Sequence, residues 1–356
     1  RGKRPETRVK NAKAPDDIYV SLKREDEASS ANRAKVQAMF DGVPPYSEAA
    51  LRASGQAFRT NLNFGEAEKF LESAMSAYVD LINSVEVLAR VETTYGDPNE
   101  RVEYNRVLSE EFSFQLRKWP RFHFEFLNLC NHFVGHGVGV NYFEDERCWF
   151  WRSTGLGDIL VPRQTKATED AIEVAAARRK MGVSELYRMV RDPKVARDLG
   201  WSVEATRKAI MEASSDHSTP NDWERLEAEY KNNDISAEAK AAKVEVLPLW
   251  VREFDQSLSH FIGLTDNTNE DEFLYKRLGR YKSVDEALTF FTYGIGTNGT
   301  YHGIRGLGYK VFPHLQLSNR VRSQAVDNAM IAGARMVQAE DERALEHCAV
   351  NYFGPF

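Results

Sequence analysis

Cysteine is scarce in this sequence: only Cys130, Cys148 and Cys348 occur among 356 residues, at no repeated spacing. This scarcity excludes the paired cysteine framework of small secreted domains and favours a reducing compartment. Long apolar runs are also missing, since none approaches the roughly 18 residues that a membrane-crossing helix needs. The sequence therefore favours neither a disulfide-bonded scaffold nor a protein built around membrane helices, and its 42% hydrophobic residues suffice for a buried core.

Positive charge is not in excess either. Forty-seven Lys and Arg residues face 53 Asp and Glu residues, for a net charge of -6, whereas dedicated nucleic-acid binders are usually basic. The sequence also lacks the signatures G-x-S-x-G, H-E-x-x-H and G-x-x-x-x-G-K-[ST], which mark common nucleophile, zinc-protease and phosphate-loop sites. We therefore predict that the protein is not an enzyme, does not hydrolyse nucleotides and binds no cofactor or metal.

Glycine, in contrast, is concentrated between Tyr293 and Gly308. Gly294, Gly296 and Gly299 match G-x-G-x-x-G, but the dinucleotide fingerprint also needs a helix that opens within it and an acid about 20 residues later. Here residues 300–306 cannot open a helix, and position 319 is Asn. The stretch instead predicts a tight hairpin that joins two strands before a helix.

Two clusters invite a metal-site interpretation. Cys130, His132, His136 and Cys148 form a possible zinc set, but Gly135 is expected to break the helix between the histidines, and zinc needs a fixed ligand geometry. The acidic residues of 266–272 hint at a calcium loop, but the required central glycine is absent. Packed or surface side chains are the favoured interpretation of the first cluster, and a solvated loop that of the second.

Periodicity and turn residues predict an α+β protein that is mainly helical. The predicted helices cover about 28–40, from Asn63 onward, 100–118, 120–133, 168–182, 184–191, 193–199, 202–213 and 313–337, with a short one from Ser283 to Phe291. The predicted strands form a hairpin around the charged turn 144–147 and continue at 156–161, 244–253 and 258–264.

The last predicted helix has two distinct faces. A seam of small side chains recurs every four residues and suits close packing on a neighbouring helix; it consists of Val321, Ala325, Ala329 and Gly333. The other face is polar and is expected to meet water or a polar partner; it carries Asn319, Arg320, Ser323, Gln324 and Asp327.

Three segments resemble the portal proteins of tailed bacteriophages, most of all podovirus portals. They are Phe40-Asp-Gly-Val-Pro-Pro-Tyr46, Asn61-Leu-Asn-Phe-Gly65, and Phe133-Val-Gly-His-Gly-Val-Gly139 before Trp149-Phe-Trp151. The resemblance implies the following parts: an N-terminal arm (1–30), a wing (31–218) with a hairpin at 138–162 and satellite helices at 168–214, a first stem helix (219–243), a β-rich clip (244–308), a second stem helix (309–337), and the start of a missing C-terminal part (338–356).

What the resemblance implies for function is a ring of twelve subunits at one capsid vertex, through which double-stranded DNA is packaged and ejected. The implied partners are other copies of the chain, the terminase motor, the major capsid or scaffold protein, and tail adaptors. The protein is then expected in the virion, at the head-tail interface, after assembly in the host cytoplasm. Lys310, Arg320 and Arg322 are the candidate channel residues on the second stem helix.

Two alternatives remain at this point. One is another head-tail connector or tail structural protein of the same virion, which would share ring symmetry but not the stem–clip–stem order. The other is an enzyme with a substrate pocket under the loop 302–305. The absence of a base, nucleophile or phosphate loop argues against the enzyme.

Overall fold

The computed structural model describes residues 15–53, 59–93, 97–143, 150–213, 242–265, 273–296 and 298–333. They form a mixed protein in which helix predominates over strand, as the α+β prediction states. The chain divides into two compact units. The first unit comprises 1–31, 120–133 and 137–304, and the second comprises 32–119, 134–136 and 305–356.

Antiparallel strands form two sheets in the first unit. The larger sheet has the order β3-β4-β6-β7-β8, and β5 also pairs with β6; its strands are β3 (Ile159–Leu160), β4 (Val174–Ala177), β5 (Arg179–Gly182), β6 (Lys243–Arg252), β7 (Leu258–Leu264) and β8 (Tyr275–Tyr281). The smaller sheet has the order β2-β1-β9; its strands are β1 (Val138–Phe143), β2 (Trp151–Gly155) and β9 (Leu288–Thr292). The predicted hairpin β1–β2 and the predicted strands β6 and β7 are confirmed.

Strand β6 is the centre of the larger sheet. Its residues from Val246 to Val251 are buried on both faces, which explains why it reads as a continuous apolar run. Pro248 is accommodated because the partner strand changes beside it: Val246 pairs with Arg179 of β5, and Leu249 pairs with Ala176 of β4. A proline that cannot donate to a ladder is tolerated at such a break in pairing.

Helix α5 (Phe122–Cys130) also belongs to the first unit. Three short helices cover one end of the larger sheet: α6 (Val183–Val190), α7 (Pro193–Leu199) and α8 (Val203–Ala213). They share a buried cluster with β5, β6 and β7. Asp192 caps α7 by accepting the N–H of Lys194, and Pro193 occupies the first helical position. These three helices agree with the sequence prediction to within one residue at each end.

The helix predicted over 168–182 is wrong. The Thr168 signature produces only a 3-10 turn at Glu169–Ala171, and the chain then forms β4 and β5. Alanine favours helix locally, but Ala175 and Ala176 lie fully buried in the sheet, where β4 pairs with β6. Burial in the sheet overrides the local preference.

The short helix predicted from Ser283 to Phe291 is also wrong. Glu286 accepts the N–H of Lys282 at 2.8 Å, as in a capping arrangement, but the turn ends and β9 begins at Leu288. Phe290 and Phe291 then pair with Val140 and Gly139 of β1. The distant strand β1 supplies backbone partners that a local sequence window cannot reveal.

The predicted clip is not a separate sheet module. Strands from 244–308 share both sheets with strands from 138–182, because β6 pairs with β4 and β5, and β9 pairs with β1. The predicted first stem helix lies mostly outside the described residues. Its predicted last residue, Lys243, begins β6 instead of ending a helix.

The second unit is helical. It contains the C-terminal part of α1 (Pro15–Phe40), then α2 (Glu48–Ala53), α3 (Glu66–Ser84), α4 (Pro98–Lys118) and α9 (Leu307–Gly333). Helix α1 begins at residue 15 and not near 28, so about half of the predicted N-terminal arm is helical. The rest of the arm, 1–14, lies outside the described residues. So does the predicted C-terminal part, 338–356. Val36, Phe40 and Ala67 form the buried core of this unit with Tyr309 and Phe312.

Candidate functional site

The glycine-rich stretch forms an irregular loop that leads to α9. A Cβ at position 296 would lie 2.2 Å from the carbonyl oxygen of Gly303, and Gly299 has a φ of +62°. The loop ends in a 3-10 turn at Tyr301–Gly303, and an isolated bridge joins Lys166 and Thr300. The predicted second strand of a hairpin is therefore wrong, because the chain closes on itself through glycine contacts.

The start of α9 packs closely against its neighbours within the second unit. A Cβ at Gly308 would lie 2.6 Å from the oxygen of Gly135, 2.7 Å from Cζ of Phe40 and 2.8 Å from Cγ1 of Val36. Only glycine fits this position. The helix therefore begins where α1 and the 134–136 segment allow its backbone to approach.

Gly308→Ala is expected to destabilise the second unit by about 1–3 kcal/mol, since the added methyl group overpacks a filled space. Urea denaturation checks this result. Gly294→Ala is the matched control, because a Cβ there meets nothing within 4 Å. Equal losses in both variants would show that the close approach at Gly308 does not matter.

One face of α9 holds an extended segment of the chain through side-chain acceptors. The N–H of Phe64 donates to Asn319 Oδ1 at 3.4 Å, that of Leu62 to Ser323 Oγ at 3.3 Å, and that of Thr60 to Asp327 Oδ1 at 2.8 Å. Four helical residues rise about 6 Å, and two extended residues advance about 6.7 Å. The two spacings match, so alternate N–H groups meet successive helical turns.

The same arrangement recurs on α4. The N–H groups of Thr93 and Val91 donate to Asn105 and Ser109 at 3.0 and 2.8 Å. Those of Ala89 and Leu88 both donate to Ser113, at 3.4 and 3.0 Å. In both helices, short polar side chains at i, i+4 and i+8 provide the acceptors that an extended segment would otherwise find in a neighbouring strand. This spacing is a sequence signal that we did not use in the prediction.

The polar face of α9 was expected to meet water or a polar partner. Asn319 and Ser323 are instead only 4% and 3% exposed, and their partner is the chain's own backbone at 62–64. Of the two expected surroundings, these residues therefore have the polar partner and not water, because the extended segment covers them. Arg320 and Gln324 are exposed.

The three basic residues singled out on this helix have different surroundings. The guanidinium of Arg320 lies 4.9 Å from the centre of the Tyr46 ring. Arg322 forms an ion pair with Glu66 at 2.5 Å and lies 5.5 Å from the Phe64 ring centre. At about 100° per residue, Lys310 lies about 80° and Arg322 about 160° from Arg320 around the axis. The three residues therefore do not form one line along the helix.

The predicted seam of small side chains is exposed in this chain. Val321 is 55% exposed, and Ala325 and Ala329 are exposed too, while Gly333 is the last helical residue. Leu317, 60% exposed, extends the stripe by one turn toward the helix start. Within the described part of the chain no helix covers this stripe. Its packing against another copy stays a prediction.

Cys130 and His132 of the cysteine and histidine cluster are packed side chains of the first unit. Burial raises the pKa of the Cys130 thiol to about 11 and lowers the pKa of His132. The expected helix break at Gly135 is wrong, since a π-helix runs through Asn131–His136 and ends at Gly137 with φ +102°. Cys148 and the acidic loop 266–272 lie outside the described residues. Within the described ranges, no group of three or more His, Cys, Asp or Glu side chains is placed to hold a metal.

The enzyme alternative requires a substrate pocket under the loop 302–305. The first residue of this loop, His302, is buried. The side chain of His302 is 4% exposed; its Nδ1 lies 3.3 Å from Asp26 Oδ1, and its Nε2 lies 3.0 Å from the Val161 carbonyl oxygen. The Nε2 contact is a hydrogen bond, whereas the Nδ1 contact is a close approach without hydrogen-bond geometry. The His302 ring is therefore engaged in holding α1 and β3 together.

Neither a protein-family model nor a curated protein sequence matches the chain. Among the described residues, no helix combines the length and the apolar character needed to cross a membrane.

Proposed function

We propose that this chain is a portal protein, which forms a ring at one capsid vertex for the packaging and ejection of double-stranded DNA. The observation that carries the proposal is the surface of α9. One face of this 27-residue helix is held by the extended segment 60–64, while the stripe formed by Leu317, Val321, Ala325 and Ala329 is uncovered. Small side chains let two helices approach closely, and a repeated contact of this kind builds a ring.

The charge distribution fits a channel that DNA traverses without sticking. A chain of net charge -6 repels phosphates within a screening length of about 8–10 Å. Exposed cations repeated around a ring would still give weak contacts that salt screens. Lys310, Arg320 and Arg322 are the proposed channel cations, and Arg322 also forms an ion pair with Glu66.

The partners in this proposal are further copies of the chain, the terminase motor, the capsid or scaffold protein, and tail adaptors. The proposal does not need the clip to be a separate module, since strands shared between sheets can still present a docking surface. It places the protein in the virion, at the head-tail interface.

Negative-stain microscopy and sedimentation of the purified protein test the proposal. Closed rings with a central channel are expected, because the uncovered α9 stripe would pack against a different surface of the next copy, and such head-to-tail contacts can close into a ring. A well-behaved monomer at micromolar concentration would contradict the proposal. A ring that binds tail proteins but neither terminase nor scaffold would point to a different head-tail connector.

A further inference from the structure

The second unit contains a cavity of 340 Å³ beside α9. Its walls come from the C-terminal part of α1, the loop after it and one side of α9. The lining includes Met39, Pro45 and Phe312 as apolar groups and Lys35, Gln316 and Asn319 as polar groups. The volume lies within the range of roughly 300–1,000 Å³ that is typical of small-molecule sites.

Some polar groups of this cavity already form hydrogen bonds within the protein, and others do not. Asn63 also lines the cavity, but it donates to the carbonyl oxygens of Met39 and Val43 and accepts the N–H of Gly65. Asn63 and these two carbonyl groups are therefore engaged. They hold the wall in shape and offer little to a ligand.

The remaining polar groups are mainly donors. Asn319 is 4% exposed and accepts the N–H of Phe64 through Oδ1, and its Nδ2 has no partner among the described residues. In the same described ranges, neither the Lys35 ammonium nor the Gln316 amide has a hydrogen-bond or ion-pair partner. The donors of Asn319, Lys35 and Gln316 line the cavity and are available to a ligand that carries an acceptor.

We infer that this cavity binds a small carboxylate that carries an apolar group. The apolar group lies against Met39, Pro45 and Phe312, and the carboxylate accepts from Lys35 and from the Asn319 amide. A single cation, with no arginine fork and no cluster of backbone N–H groups, suits a monoanion better than a phosphate. The inference does not rest on ring formation, because every lining residue belongs to one unit of one chain.

The probe for this site is 3-phenylpropionate, and its neutral isostere 3-phenylpropanamide is the matched ligand control. We expect saturation-transfer NMR to detect binding of the acid to the full chain. The amide should bind at least about tenfold more weakly, because it cannot pair with the Lys35 ammonium. Equal binding of acid and amide would overturn the carboxylate assignment.

Three variants test whether the ligand binds in this cavity. Lys35→Gln should weaken binding of the acid about tenfold and leave the weak binding of the amide unchanged, while Lys69→Gln, on the exposed face of α3, should change neither. Ala38→Leu should fill part of the cavity and abolish binding of both ligands. If Ala38→Leu fails to fold, Lys35→Gln still decides, since Lys35 is exposed. Absence of binding to the wild type, or undiminished binding to Lys35→Gln, would disprove the site.

Discussion

Ala329→Trp is expected to abolish ring assembly while the chain itself folds normally. Ala329 is exposed on α9, so an indole group there meets solvent in the isolated chain. In the proposed ring the same side chain would enter a contact between closely spaced helices, where overpacking costs about 1–3 kcal/mol. The cost recurs at every interface of a closed ring, so its effect on assembly is far larger than its effect on folding.

Sedimentation velocity and negative-stain microscopy measure this effect, and circular dichroism checks that helix content is retained. Arg320→Ala is the control on the same helix. It removes one charge and the contact with the Tyr46 ring, but surface substitutions usually change stability by no more than about 0.5 kcal/mol. The Arg320→Ala ring should therefore assemble, with an altered DNA retention that is most visible at low salt.

The opposite pattern would decide against the proposed orientation of α9. If Ala329→Trp forms rings and Arg320→Ala does not, the helix presents its other side to neighbouring copies. Assembly of both variants would mean that α9 is not the contact between copies.

His260→Phe is expected to make the first unit less sensitive to acid. His260 lies on β7, stacked on Trp250 with ring centres 5.1 Å apart and an interplanar angle of 1°. Burial, with a smaller contribution from the charge of Arg280, lowers the pKa of His260 to about 3. The ring is therefore neutral inside the folded protein over most of the acid range.

The sign of the pH dependence follows from this shift. In the unfolded chain His260 takes up a proton below pH 6.5, whereas in the folded protein it does so only near pH 3. Acid therefore favours unfolding through this group, by about 1.4 kcal/mol for each pH unit below 6.5. Between pH 6.5 and pH 5 the wild type should lose about 2 kcal/mol that His260→Phe retains.

Urea denaturation at pH 7 and pH 5, followed by tryptophan fluorescence, measures the difference between the two proteins. The other titrating groups are common to both, so they cancel when the pH effects are subtracted. The phenyl ring preserves the stacking on Trp250, which limits the loss of packing. An identical pH dependence in both proteins would show that the buried imidazole contributes nothing to acid sensitivity.

Local signals were sufficient to predict several elements. Helix α7 begins at a capping aspartate followed by proline and ends at Gly200, whose φ is +99°, and each of these signals lies within the element itself. Strands β6 and β7 were predictable because a strand buried on both faces is apolar along its whole length. Helix α9 was predictable from its length and periodicity, although the segment that covers Asn319 and Ser323 was not.

Partners far along the chain decided the remaining elements and most of the candidate site. The segment 168–182 and the segment after Ser283 have helical signals, yet they became strands because β6 and β1 offered backbone pairing and a buried surface. In the same way, the sequence alone determined that Asn319, Ser323 and Asp327 share one face of α9. Only the tertiary structure brought the backbone of 60–64, more than 250 residues away in sequence, onto that face and so left the stripe of small side chains uncovered.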